Sequence, residues 1–181
     1  MSRWQKTHGE LKQAAMELFA EHGYAATSTV QIAECAGVSE MTLFRHFPSK
    51  EALLLDDPFD AAMADAVRER PEGETAMQTL TRAIRSSWRE VDQEQEEQLR
   101  TSLRIVAQTP GLQGAVERNT ARTRTALIEA LRDRGVDDQP ARVAVSAVIS
   151  GLGAALLTWA EMKDADLAAA IDRALHVLGG W

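Results

Sequence analysis

The side chains able to do chemistry are concentrated between residues 27 and 54, in the run T-S-T-V-Q-I-A-E-C-A-G-V-S-E-M-T-L-F-R-H-F-P-S-K-E-A-L-L. Helical spacing from residue 40 to about 47 turns Glu40, Met41, Thr42, Arg45 and His46 outward, while Leu43 and Phe47, four apart, face in. A helix of that diameter fits the major groove of B-DNA, so the chemistry on offer is recognition of nucleic acid. Lys50 follows in the first turn of the next helix, where a positive charge opposes the helix dipole by about 0.3–1 kcal/mol. A phosphate would make that placement favourable, since helix N-termini and lysines both bind phosphate; a solvated surface lysine is the equal alternative.

Other chemistries find no constellation. His8, His22, His46 and His176 are scattered, with no His-x-x-x-His or carboxylate pairing, so no metal site is expected. Asp56, Asp57 and Asp60 beside Pro58 read as a solvated loop. Cys35, the only cysteine, reads as a small buried thiol and excludes a disulfide framework or a multi-cysteine zinc site. There is no nucleophile elbow, glycine-rich phosphate loop or acid–base pair, so no catalytic residue and no cofactor is expected.

The elements that must position the candidate face are helices. Leu11, Ala14, Ala15, Leu18, Phe19 and His22 form the stripe of a first helix that Gly23 stops. Ser28 and Gln31 read as the capping box of a second, burying Ile32, Ala33 and Ala36 up to Gly37. Ser39 caps a third that Pro48 ends. Ser49 caps a fourth running to residues 65–70, with a bend expected near Pro58. The second and third are too short to survive alone and must pack on the first. Their tight glycine junction, Ala36-Gly37-Val38-Ser39, with Val38 plugging the corner, makes a helix-turn-helix. Beyond it, helices are expected over 75–91, 94–108, 112–133, 140–162 and 164–178, giving an all-α chain of about nine helices. Thirty alanines and the lack of hairpin turns agree.

The 181 residues carry 45% hydrophobic and 26% charged side chains, a globular balance that excludes a disordered tail or a collagen-like rod. Residues 1–50 sum to zero charge, so the net −7 lies wholly in residues 51–181. An acidic body does not attract nucleic acid or anionic membrane, which leaves DNA binding to the first 50 residues. The amphipathic start has no signal-peptide core, so a cytoplasmic protein is expected. The stretch 143–160 is apolar all round. Its two glycines, two serines and threonine, without an aromatic or basic belt at both ends, argue for a buried helix and against a membrane span.

Thr27, Ile32, Ala33, Ala36, Gly37, Val38, Ser39, Thr42, Leu43, His46, Phe47, Ser49, Lys50, Glu51 and Leu53 together resemble the head of the TetR family of bacterial transcriptional regulators. The likeness covers roughly residues 8 to 55. It implies an all-helical homodimer with a helix-turn-helix DNA-binding domain, 1–50, and a helical ligand-binding and dimerisation domain, 51–181. By position, Thr27, Ser28, Ser39, Thr42, His46 and Lys50 would contact phosphates, and Met41, Thr42 and Arg45 would face base edges. Met41 stands where the family usually has a small residue and is suited to thymine methyls. Phe44 replaces a commoner tyrosine in the same interface, removing one hydroxyl contact to phosphate. Phe44, Arg45, Phe47, Pro48, Asp57, Pro58, Phe59, Arg70 and Pro71 resemble a subgroup that binds acyl-CoA-like ligands.

The expected function is therefore a ligand-responsive regulator, a repressor released from palindromic double-stranded operator DNA by a small apolar or acyl-type effector. The fourth helix would link the two sites. Trp88, Leu99, Leu103, Val106, Leu112, Val116, Leu127 and Trp159 are candidates for the pocket, with Arg85, Arg104 and Arg122 for an anionic ligand end; plain core and plain surface are the alternatives. The last two helices, with Ala147, Gly151 and Ala155 at four-residue spacing and a stripe through Leu167, Ala170, Ile171, Ala174, Leu175 and Leu178, would form the homodimer contact. The alternatives are a constitutive dimeric DNA-binding protein without effector, or a helical enzyme with the head as a structural cap.

Overall fold

Local sequence sets the helix ends. Ser2, Ser28 and Thr75 each accept a hydrogen bond from the backbone of the third helical residue, a glutamine whose side chain returns one to the cap backbone. Gly23 at φ 82° and Gly37 at φ 67° end helices in a backbone region that suits glycine. The computed structural model describes residues 2–55, 59–89 and 91–179, with 59–61 described by backbone alone. Among these, ten α-helices run in order: α1 Arg3–His22, α2 Thr29–Cys35, α3 Glu40–His46, α4 Lys50–Leu55, α5 Phe59–Arg68, α6 Ala76–Trp88, α7 Gln93–Gln108, α8 Gln113–Asp133, α9 Asp138–Glu161 and α10 Leu167–Val177, with a 3-10 turn at Pro110–Leu112. The all-α expectation holds. The expected fourth helix is described on either side of residues 56–58, as α4 and α5; the bend expected near Pro58 and the acidic pair Asp56 and Asp57 lie outside the described residues.

The chain divides into two compact units. One comprises residues 1–56 with 98–116, the other 57–97 with 117–181. The first is built around Leu11, Ala15, Phe19, Ile32, Leu43 and Phe47, all at 2% exposure or less. Its unforeseen member is the segment 98–116. Leu112 joins the buried cluster, Ile105 and Val106 pack against it, and the Ser102 hydroxyl donates to the Met16 sulfur at 3.4 Å. Met16, outside the expected stripe, is buried on this second face of α1, whereas His22 at the stripe's end is exposed.

In the second unit α6 packs on α5 and α9, and α9 on α10. Helix α9 is long and apolar enough to cross a membrane by length and composition; it buries one face, from Ala141 through Val148 to Trp159, in this unit. Its other face leaves Val143 and Leu157 exposed. A Cβ on Gly151 would lie 3.1 Å from the Leu178 side chain, so this small residue admits the end of the same chain. Arg134 stitches the unit. Its guanidinium donates to the carbonyls of Arg68 at 3.1 Å, Pro71 at 2.7 Å and Arg70, groups that the end of α5 leaves without helical partners.

Glu74, with its side chain only 8% exposed, accepts from Arg70 at 2.5 Å and Arg82 at 2.7 Å. The hydrogen bond from Arg70, reinforced by Arg82, pulls its carboxyl down to about 2 from 4.5. A depressed carboxylate stabilises the fold above its unfolded value and loses that contribution as pH falls from about 4.5 through about 2. Glu74→Gln should therefore cost about 2 kcal/mol at neutral pH, allowing for solvent around Arg82. In urea unfolding, the gap between wild type and variant should close as pH falls from 5 towards 2. A gap constant over that range would show that the carboxylate charge contributes nothing.

Candidate nucleic-acid interface

The three helices of the head are locked by side chain to backbone bonds. Thr27, at 2% exposure, donates from Oγ1 to the carbonyls of Leu18 at 3.2 Å and Gly23 at 3.0 Å, fixing the α1–α2 loop to α1. Ser28 Oγ accepts from the Gln31 backbone at 3.2 Å, and the Ser28 backbone donates to Gln31 Oε1 at 2.8 Å. At the turn, Gly37 donates to the Glu34 carbonyl at 3.0 Å and Val38 to Ala33 at 2.9 Å, with the Val38 side chain half-buried against the core. Ser39 Oγ accepts from the Thr42 backbone at 3.2 Å and shares a 2.9 Å bond with the Thr42 hydroxyl. Thr29 Oγ1 donates to Glu40 Oε1 at 2.6 Å, a second tie between α2 and the start of α3.

Helix α3 then has two unlike faces. Leu43 and its C-cap Phe47 are at 0% exposure, whereas Met41 is 71% and Phe44 46% exposed, and Arg45 is exposed beside them. Arg45 takes part in no hydrogen bond or ion pair among the described residues. This outward row has the apolar tips, the planar cation and the hydroxyl that reading a groove requires. Thr27 departs from the expected role in one respect: its hydroxyl is committed to carbonyls within the protein. Ser28 and Ser39 act as helix caps whose side chains remain exposed.

Lys50 lies neither free in solvent nor at a simple helix end. Nζ donates to the Tyr24 carbonyl at 2.5 Å and sits 4.2 Å above the Tyr24 ring. Burial lowers the Lys50 ammonium from its usual value, partly opposed by Glu51. Burial, then Glu51, pushes the Tyr24 phenol up to about 12. An ammonium has three donors, and Tyr24 takes one.

The sequence reading missed a group beside α3. Trp4 stacks on His8 with ring centroids 4.9 Å apart and on His46 at 4.8 Å; His8 in turn stacks on Phe47 at 4.1 Å. The signal was present, since Trp4, His8, Leu11 and Ala15 continue one helical stripe towards the N-terminus. Cys35 corrects the expectation of a buried thiol. It is exposed, because the buried stripe of α2 runs through Ile32 and Ala33 towards half-buried Ala36 and leaves Cys35 on the opposite side.

The candidate pocket residues divide between the units. Trp88, Leu127 and Trp159 are buried in the second, where Trp159 Nε1 donates to the Ala165 carbonyl at 2.8 Å. Leu103 and Val106 belong to the first, with Val106 against the head core, and Leu112 is part of that core. Arg85 pairs with Asp172 of α10 at 2.7 Å. Among the described residues, no three His, Cys, Asp or Glu side chains gather to hold a metal; Asp56, Asp57 and the Asp60 side chain lie outside them.

Residues 11–56 match the family model described as bacterial regulatory proteins, tetR family, and residues 74–180, more than half of the chain, match the MftR C-terminal domain of TetR regulators. The HTH-type transcriptional regulator TcmR of Streptomyces glaucescens is 37% identical over 114 residues, covering 59% of this chain and 50% of that protein. The chain spans about half the length of the curated relatives it matches. Among solved structures, NalD, the secondary repressor of the MexAB-OprM multidrug efflux pump in Pseudomonas aeruginosa, is 25% identical with a TM-score of 0.59, covering 97% of this chain and 95% of that one. Thermus thermophilus FadR, a repressor solved with lauroyl-CoA, is 24% identical with a TM-score of 0.52, covering 96% and 94%, a likeness of fold.

Proposed function

The chain belongs to the TetR family of bacterial regulatory proteins, whose named relatives are transcription regulators and not enzymes, and on that premise we propose that it is a cytoplasmic repressor of double-stranded operator DNA. The observation that carries the reading is the two-faced α3, anchored by Leu43 and Phe47 at 0% exposure and presenting Met41, Phe44 and Arg45 to solvent. Met41, Thr42 and Arg45 read base edges. Ser28, Ser39, Thr42, His46 and Lys50 hold phosphates, with Phe44 packing on the backbone, while the Thr27 hydroxyl fixes the loop that carries Ser28. The division of labour is residues 1–50 for DNA and residues 51–181 for effector and dimer.

The exposed apolar row of Val143 and Leu157 on α9, with Val177 on α10 at 83% exposure, supports a homodimer through the last two helices. Two recognition helices would then stand about 34–36 Å apart on a palindromic site. A small apolar or acyl-type effector, bound in the second unit among residues such as Trp88, Leu127 and Trp159, releases the DNA. The FadR structure with lauroyl-CoA supports that ligand class through fold alone. Coupling has a physical route. Residues 98–116 pack on the head core, while the stretches before and after them belong to the second unit, and α7 and α8 are each continuous across the boundary. An effector that favours one arrangement of those helices biases the head, and DNA must bias the effector equally.

The test begins with duplexes enriched by the protein from a randomised library. On such a duplex, log affinity falls linearly with log salt, and Lys50→Ala should reduce the slope by about 1 per subunit. A slope unchanged by Lys50→Ala means that the ammonium serves Tyr24 alone. Failure to enrich any sequence contradicts the regulator reading.

A further inference from the structure

The stack at the start of α1 reaches a residue of the recognition helix from outside it. His46 occupies the last turn of α3, and its Nδ1 is buried with no hydrogen-bond partner among the described residues. At that nitrogen no hydrogen bond fixes the ring, so its orientation is left to stacking. The Trp4 indole lies 4.8 Å from the imidazole at 29°, close to parallel, and the same indole lies 4.9 Å from His8 at 20°. His8 is supported from below by Phe47, 4.1 Å away at 25°. The order is therefore a buried base, Phe47, a middle ring, His8, and an outer plate, Trp4, that overlaps both imidazoles. Trp4 is 56% exposed, too much for a core residue, and its ring stacks on both imidazoles.

We infer that Trp4 is a positioning residue for operator binding, acting through His46: the stack of Trp4 on His46 holds the imidazole in the orientation from which the end of α3 meets the DNA backbone. This rests on the regulator reading of α3. It adds the first turn of α1, which lies before the matched family head, to the parts of the chain that set affinity. Offset aromatic stacks contribute modestly beyond buried area, so the effect is one of geometry and not of folding.

The test uses the full chain and a duplex enriched by the wild type. Trp4→Ala should weaken binding about tenfold, and Trp4→Phe, which keeps a ring over His46, should recover most of the loss. In a His46→Ala background Trp4→Ala should cost nothing further, the non-additivity expected of residues acting as one unit. In the free protein, the His46 ring proton resonances should be shifted by the indole in the wild type and lose that shift in Trp4→Ala, with the thermal transition retained. Equal binding by wild type and Trp4→Ala overturns the positioning role. So does a full loss that persists in the His46→Ala background, which would make Trp4 a DNA contact in its own right. A wild type that enriches no duplex contradicts the regulator reading itself, and this inference falls with it.

Discussion

Replacing Arg45 with alanine is expected to lower affinity for the enriched operator by roughly 10–100-fold per half-site, the worth of a good bidentate contact to a base edge. The arginine stands exposed on the outer face of α3, next to Phe44 and one turn from Met41. It makes no hydrogen bond or ion pair among the described residues, so its removal breaks nothing inside the protein. The remaining cost is its favourable position in the last turn of α3, a few tenths of a kcal/mol. Arg45→Ala should also lose preference at one base position while keeping the rest. Lys50→Ala, by contrast, should weaken all sequences alike. Binding of the variant to the enriched duplex and to single-base substitutions of it separates the two. Uniform weakening by Arg45→Ala would reassign that side chain to phosphate.

Phe47→Ala should have the largest effect on folding, about 3–5 kcal/mol, because it empties a fully buried aromatic site. Phe47 closes α3 through its backbone bond to Leu43 at 2.8 Å, fills the head core and supports His8. The loss should not stop at the head sequence. Since residues 98–116 share that core, hydrogen exchange should accelerate together in residues 3–55 and 98–112, while α9 and α10 keep their protection. Operator binding should disappear with it. Acceleration confined to residues 3–55 would show that the later segment does not depend on the head core.

What could be read beforehand was whatever a single helix states about itself. Leu43 and Phe47 four apart gave the inner face of α3. Ser28 and Ser39 gave its caps and those of α2, and Gly23 and Gly37 the stops. What could not be read depends on neighbours distant in sequence. Met16 is buried because Ser102 lies on it, 86 positions away, and no periodicity in α1 announces a second partner. Leu112 and Val106 have the apolar spacing of any core helix, and spacing does not say whose core; they serve the head. Lys50 carries a charge whose local cost is legible, but its bond to the Tyr24 carbonyl requires the loop to fold back 26 residues. The helix-turn-helix was thus legible as a surface, while the parts that brace it from behind were not.

The most direct test of the central claim, that a dimer presents two copies of α3 to successive major grooves, is a hydroxyl-radical and methylation-interference footprint on the enriched duplex. Two equivalent patches of major-groove interference are expected, related by a two-fold axis and centred about one helical turn apart, and in Arg45→Ala each should lose the interference at the one base that Arg45 reads. A single patch, or protection without two-fold symmetry, would contradict it.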